Sequence, residues 1–197
     1  MTETIAEKTD EELAREARAG SRRSFDELAR RYKRRLFVYL RPRLGSDEDA
    51  EDLVQETFLK LYRNIGGYDP AFKFSTWLYT SASRLAIDAF RRRAAERVAK
   101  VAETDIDVPD PSAGPEIGSG AAEIWEAARA LGGDRFRVLW LRYGEDLSVE
   151  EIAAVLGRTR LAVRVLLHRA RTSLAGRLGP DLRQMPEAAA AGPAGRD

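Results

Sequence analysis

Apolar residues recur at helical spacing through the first half of the chain, and most runs are opened or closed by a recognisable signal. Leu13, Ala14 and Ala17 follow Thr9 and Glu12, a capping-box pair, and Gly20 stops the run, which predicts a short first helix. A second helix is expected from about Ser24. It has Phe25, Leu28, Ala29, Tyr32, Leu36, Tyr39 and Leu40 at helical spacing and Arg30, Arg31, Lys33, Arg34 and Arg35 on its other face. Pro42 has no amide hydrogen and disfavours helix at Arg41, so this helix should end or kink there. Ser46 and Asp49 fit another capping box and predict a third helix over about 49–64, with Ala50, Leu53, Val54, Thr57, Phe58 and Leu61 inward. Gly66-Gly67 and Asp69-Pro70 make 64–70 a loop leading into residues 72–93. There Leu78, Ala82, Leu85, Ala86 and Ala89 form an apolar stripe opposite Thr80, Arg84, Asp88 and Arg91, with Ser75 as the expected N-cap.

Residues 101–120 interrupt the pattern with three prolines, three glycines and five acids, which predicts a flexible linker. Beyond it, helices are expected over 121–131, anchored by Ile124 and Trp125, and over 135–143, rich in Phe136, Val138, Leu139, Trp140 and Leu141, with Gly144 as the stop. Ser148 and Glu151 form a third capping box and open a short helix to Leu156; Gly157 turns the chain into a last helix over about 159–175. Two short helices about a glycine turn read as helix-turn-helix. On the second, Val163, Leu167, Ala170 and Leu174 pack while Arg160, Arg164, His168 and Arg171 project. The expected fold is all-α: two small helical domains, at 10–98 and 121–179, joined by an acidic linker at 99–120. The second is a helix-turn-helix (winged-helix-like) domain of four helices, and residues 1–9 and 180–197 are expected to be disordered.

Composition narrows the chemistry. The 197 residues carry 33 basic and 32 acidic side chains, a net charge of +1 that says nothing of partners by its total. Its distribution says more: from Asp134 to Leu178 nine arginines face five acids, and the six arginines from Arg158 to Arg177 have no carboxylate among them. There is no cysteine and a single histidine, which excludes thiol chemistry, disulfides and Cys/His zinc sites. With no glycine-rich phosphate loop and no nucleophile pair, no catalytic residue, metal or cofactor is expected. The start of the chain lacks the pattern of a signal peptide and no run is long enough to span a membrane, so a cytoplasmic location and no membrane partner are expected.

Three surfaces could carry function. On the third helix Asp52, Gln55, Glu56 and Leu59, at i, i+3, i+4 and i+7, share an outward face that suits a basic helical partner or is simply solvated. In 72–93, three arginines adjoin Phe72, Phe74, Trp77 and Tyr79; the rings are either core or a stacking surface for unpaired bases. The acid-free last helix fits duplex DNA, or else is a basic amphipathic helix of an ordinary bundle.

The order of these elements resembles bacterial sigma factors of the sigma-70 superfamily, specifically the small extracytoplasmic-function (ECF) group that keeps only regions 2 and 4. Asp49-Ala-Glu-Asp-Leu-Val-Gln-Glu-Thr-Phe58 looks like region 2.2; Phe74-Ser-Thr-Trp-Leu-Tyr79 with Ile87-Asp-Ala-Phe-Arg-Arg-Arg93 looks like regions 2.3 and 2.4. Leu147-Ser-Val-Glu-Glu-Ile-Ala-Ala-Val-Leu-Gly157 followed by Leu167-His-Arg-Ala-Arg171 looks like region 4.2. The resemblance implies a non-enzymatic factor that binds core RNA polymerase, recognises promoter DNA and promotes strand opening. Asp49, Asp52, Gln55, Glu56 and Leu59 would meet the β′ clamp coiled coil, with a further contact to the β subunit. Lys73, Phe74, Trp77, Tyr79, Arg84, Asp88, Arg91, Arg92 and Arg93 would hold melted DNA. Arg158, Thr159, Arg160, Arg164, Val165, His168, Arg169 and Arg171 would read the distal duplex, and an anti-sigma factor is an expected partner. A stand-alone helix-turn-helix regulator, or a sigma mimic that sequesters an anti-sigma factor, uses fewer of these features. The chain departs from the family at Ser83-Arg84, where Arg-Asn is usual, and at Leu161-Ala-Val-Arg-Val-Leu-Leu167, where two polar reading positions become the apolar Leu161 and Val165.

Overall fold

The computed structural model describes residues 4–44, 46–99 and 119–178, without the side chains of 93–99 and 119–121. The body of the expected linker and the expected tail at 180–197 lie outside the described residues. The chain divides into two compact units, residues 1–109 and 110–197.

The first unit holds helices α1 (Asp10–Arg18), α2 (Arg22–Leu44), α3 (Asp47–Arg63) and α4 (Phe74–Ala99), with a 3-10 turn at Ile65–Gly67 between the last two. The capping box that opens α1 is formed in both directions: Glu12 N donates to the Thr9 hydroxyl, and Thr9 N to the Glu12 carboxylate at 2.7 Å. Such a cap contributes about 1 kcal/mol. Residues 4–8, read from the sequence as part of a disordered start, form a turn: the Arg31 guanidinium donates to the carbonyls of Ala6 and Lys8, both at 2.8 Å. Tyr32, Leu36, Tyr39 and Leu40 of α2 lie in the core, and α2 packs on α1, α3 and α4.

Four boundaries differ from expectation. Helix α2 continues through Pro42 to Leu44. Proline in a last turn forfeits one backbone bond, and Leu44, 8% exposed, anchors that turn in the core. Helix α4 begins at Phe74, with the Lys73 carbonyl accepting from Trp77 N, so Ser75 sits inside the first turn, buried, and is not the N-cap. The helix also runs past the three arginines, to Ala99. Ser46 caps α3 as expected, accepting from Asp49 N at 3.1 Å, and α3 starts at Asp47, two residues ahead of the expected start.

The second unit comprises α5 (Ser119–Arg129), α6 (Gly133–Leu139), α7 (Val149–Leu156) and α8 (Arg160–Arg177). Trp125, Phe136 and Trp140 meet edge to face or tilted, at 5.0 to 6.5 Å, and with Val163, Leu167 and Ala170 of α8 belong to the core. Helix α6 widens into a π turn, Trp140–Gly144, closed by Glu145 N donating to the Trp140 carbonyl at 3.1 Å. A Cβ at position 144 would stand 3.2 Å from the Trp140 ring, so only glycine fits without displacing it. Ser148 and Glu151 form the reciprocal capping box of α7, and Gly157, at φ 62°, supplies the left-handed C-cap that turns the chain into α8. No strand occurs among the described residues, so the likeness to a winged helix rests on helix order alone.

Candidate partner and nucleic-acid interfaces

Helix α3 turns Ala50, Leu53, Val54 and Leu61 inward, which fixes its opposite face. Asp52, Gln55, Glu56 and Leu59 are all exposed, Leu59 at 56%, while Asp49 is half-buried at the start of the row. Tyr62 extends the row by one further step of three. It is 47% exposed, with its ring 5.0 Å from that of Phe25. The sequence reading stopped at Leu59 and missed Tyr62, although the same i+3 spacing points to it.

The stretch that opens α4 departs most from expectation. Phe74 and Tyr79, assigned to DNA contact from the sequence, are both fully buried. Phe74 packs against the rings of Tyr32 at 5.5 Å, Tyr68 at 6.1 Å and Trp77 at 6.1 Å, and Tyr79 packs on Tyr39 at 4.8 Å. Their rings are therefore core and have no face for a base. The reason is that α4 packs against α1, α2 and α3 and is apolar on more than one side at its start. Trp77 is half-buried, and Lys73, Arg84, Asp88, Arg91 and Arg92 are exposed; the Arg93 side chain lies outside the described residues. Ser83, one of the departures from the family pattern, is a core position whose hydroxyl lies 2.9 Å from that of Tyr39; Arg84 beside it faces out. Ile87 and Phe90 are exposed on the same helix, with the Arg43 guanidinium 5.7 Å above the Phe90 ring.

The loop before α4 is tied from beneath. Phe72 N donates to the Asp69 carbonyl, Ala71 N to the Asp69 carboxylate at 3.0 Å, and the Tyr68 hydroxyl to the Phe72 carbonyl at 2.7 Å. Burial, with the Glu11 carboxylate adding to it, pushes the Tyr68 phenol up to about 12, so it stays a donor at neutral pH.

Helix α8 presents the third surface. Leu161 is 71% and Val165 42% exposed, one turn apart, and Arg164, His168 and Arg169 are exposed around them. Four of the residues assigned here to DNA also have partners within the unit. Arg158 pairs with Asp134 at 2.5 Å, Arg160 with Glu150 at 3.5 Å, and the Thr159 hydroxyl caps α8 by accepting from Ala162 N at 3.2 Å. The Arg171 guanidinium lies 5.5 Å from the centre of the Tyr143 ring. Asp134 lies 24 residues from Arg158, so sequence spacing gave no sign of that pair. Among the described residues no helix is long and apolar enough to cross a membrane.

Comparison with known proteins agrees with this architecture. The family model for Sigma-70 region 2 matches residues 28–96, and that for Sigma-70 region 4 matches residues 121–174. The chain is 34% identical over 158 residues to the ECF RNA polymerase sigma factor SigE of Mycolicibacterium smegmatis. That alignment covers 77% of this chain and 60% of SigE, so the chain spans less than two thirds of that relative. It is 31% identical over 164 residues to the RNA polymerase sigma factor CarQ of Myxococcus xanthus, with 82% of this chain and 93% of CarQ covered. Among solved structures, CnrH in complex with the cytosolic domain of CnrY shares the fold with a TM-score of 0.58 at 28% identity, over 87% of this chain and 98% of CnrH. Both conserved regions of the superfamily are thus present in their proper order on the two helical units, and the chain belongs to the ECF group of sigma-70 family RNA polymerase sigma factors.

Proposed function

We propose that the chain is a specificity subunit of RNA polymerase: it binds the core enzyme, directs it to a promoter and helps to open the duplex, with no covalent step of its own. The observation that carries this reading is the exposed row of α3. Two carboxylates and an amide lead into the exposed Leu59 and Tyr62 on one face of a helix whose opposite face packs into the core, and such a mixture of polar groups and exposed apolar side chains suits a protein interface. Its occupant in this reading is the β′ clamp coiled coil, with a second contact to the β subunit.

The loop before α4, with Lys73, Trp77, Arg84, Asp88 and Arg91 to Arg93, holds the unpaired strand, while α8 holds the distal duplex. Opening DNA costs a few kcal/mol for each base taken from the stack, and a stacking partner returns ~1 to 3 kcal/mol. Leu161 and Val165 suit thymine methyl groups, with Arg164 on a guanine edge or a phosphate. The family resemblance adds an anti-sigma factor to the reading, and that CnrH was solved in complex with the cytosolic domain of CnrY supports a protein partner.

Run-off transcription with core polymerase on a genomic promoter library tests the whole. Specific initiation is expected from wild type, and none from a variant carrying Asp52→Ala and Glu56→Ala, which stays folded but is not retained by core. Initiation by neither protein, with no inhibitor present, would overturn the reading. Footprints of the Val165→Ser holoenzyme separate base reading from protein docking: weakened distal protection is expected, whereas unchanged protection would leave Val165 with no part in reading DNA.

A further inference from the structure

The basic face of α2 is divided by the fold. Arg31 turns to the carbonyls of Ala6 and Lys8, and Arg35 lies 4.6 Å from the centre of the Tyr32 ring, so both serve the unit itself. Arg30, Lys33 and Arg34 stay exposed, and with the half-buried Phe37 they follow the spacing i, i+3, i+4, i+7, which puts all four on one stripe of the helix. Glu27 holds Arg30 through two bonds, at 2.8 and 2.9 Å; Lys33 and Arg34 have no ion-pair partner among the described residues. The stripe borders a cleft of about 280 Å³, lined by these four side chains and by Glu51 and Val54 of α3. No surface assigned above to core polymerase or to DNA includes these cations.

The complement of a basic stripe with an apolar floor is an acidic row with an apolar member, and α3 carries one at the same spacing: Asp52, Gln55, Glu56 and Leu59. Of the exposed large apolar side chains described, Leu59 alone stands on a helix three and seven residues after carboxylates. That row points outward and cannot fold onto the stripe beside it, so a second copy has to supply it. We propose that two copies of this chain pair through these faces, the acidic row of α3 in each lying on the basic stripe of α2 in the other. The two-residue link between α2 and α3 makes them an antiparallel hairpin. Phe37 and Val54, which line the same cleft, accordingly both lie about 10 Å from the turn. A two-fold axis along this hairpin leaves every residue at its own level and sets α2 of one copy against α3 of the other. Glu56, about 14 Å from the turn, then meets Arg34 at about 15 Å, and Leu59, at about 18 Å, lies on the stems of Lys33 and Arg30. Each row is only about 10 Å long, so the contact is small and the pairing weak, favoured by high protein concentration and low salt. It covers the row that core polymerase uses in the reading above, and so holds the factor off core; that consequence rests on the reading, the pairing does not.

Sedimentation velocity on the full chain at low salt, from micromolar to near-millimolar protein, tests the pairing. Wild type is expected to pass from monomer to dimer across that range and to return to monomer in about 0.5 M salt. Lys33→Glu with Arg34→Glu, and Asp52→Lys with Glu56→Lys, are each expected to weaken pairing at least about tenfold, since like charges then face each other in both contacts. An equal mixture of the two is expected to pair as tightly as wild type, because one is then acidic on both helices and the other basic on both. Arg22→Glu with Arg23→Glu, the same change of charge at exposed positions outside the stripe, is expected to pair as wild type does. A wild type that stays monomeric, a mixture that stays monomeric, or equal weakening by the Arg22 and Arg23 changes overturns the proposal. Wild type that captures core but never pairs removes this proposal alone, whereas wild type that pairs but is not retained by core keeps the pairing and removes the specificity-factor reading.

Discussion

Replacing Phe74 should unfold the first unit before it disturbs any contact with DNA. The ring is fully buried and in edge contact with Tyr32, Tyr68 and Trp77, so truncation to alanine opens a cavity on three aromatic neighbours. Phe→Ala changes in cores cost about 3 to 5 kcal/mol, and lost aromatic pairing, ~0.5 to 1.5 kcal/mol a pair, argues for the upper part of that range without adding to it in full. Against a domain stability of about 5 to 15 kcal/mol this is a large fraction, equivalent to roughly 15 to 30 °C in Tm for a unit of this size. Because the chain has two units, a single melting curve would blur them; amide exchange on the intact protein is the better assay. Faster exchange is expected throughout α2 and α4, with α8 as an unchanged internal reference. Phe74→Leu, which keeps most of the apolar volume, is expected to cost about 1 to 2 kcal/mol and to retain single-strand binding. The reasoning is refuted if Phe74→Leu folds as wild type does and yet binds single-stranded DNA at least about tenfold more weakly than wild type.

Three further outcomes are expected. Asp134→Asn removes the carboxylate paired with Arg158 and with Arg137, at 2.5 and 3.0 Å. Duplex affinity, read by filter binding across a salt series, should rise about twofold to fivefold with a steeper salt slope, since the pair is partly exposed and worth no more than about 1 kcal/mol; weaker binding would show that Asp134 positions Arg158 and does not compete for it. Tyr68→Phe loses the bond to the Phe72 carbonyl at 2.7 Å, for about 0.5 to 1.5 kcal/mol, and should speed amide exchange at 71–73 while leaving α2 unchanged. Glu27 is held down to about 2 from an ordinary 4.5 by hydrogen bonds from Arg30 and then Arg31. Its folded-state value is depressed, so its contribution is present above the ordinary carboxylate range and is lost as pH falls toward 2. Acid titration of stability should therefore be shallower between about pH 4.5 and 2 for Glu27→Gln than for wild type; identical slopes would count against the assignment.

Most helices were legible because their ends are written locally. Thr9 with Glu12, and Ser148 with Glu151, state a helix start within four residues, and the cap forms whatever lies beyond. The outward Leu161 and Val165 were legible for a similar reason: Val163, Leu167 and Ala170 fix which side of α8 is buried. The start of α4 was misread because a single apolar stripe was assumed. Phe74, Ser75, Thr76, Leu78 and Tyr79 are all buried, which no one-sided helix permits, and only packing against three other helices explains it. That error moved the stacking role onto rings that hold up the fold. Partnerships between distant residues, such as Arg158 with Asp134 or Tyr68 with the Phe72 carbonyl, depend on how the chain closes on itself, and spacing carries no trace of them.

The guanidinium of Arg31 touches far more than its own helix. It donates to the carbonyls of Ala6 and Lys8, to the Asp10 carboxylate at 2.8 Å and to Glu27, while Asp10 in turn accepts from the Tyr32 hydroxyl. Anyone shortening this protein for crystallisation would be tempted to cut just ahead of the first helix, and that cut would strip a half-buried cation of two of its acceptors. A version that begins at Asp10 should express less well than one that keeps the preceding residues, and less well than one that begins at Thr9, which keeps the cap of α1 but still lacks the Ala6 and Lys8 carbonyls.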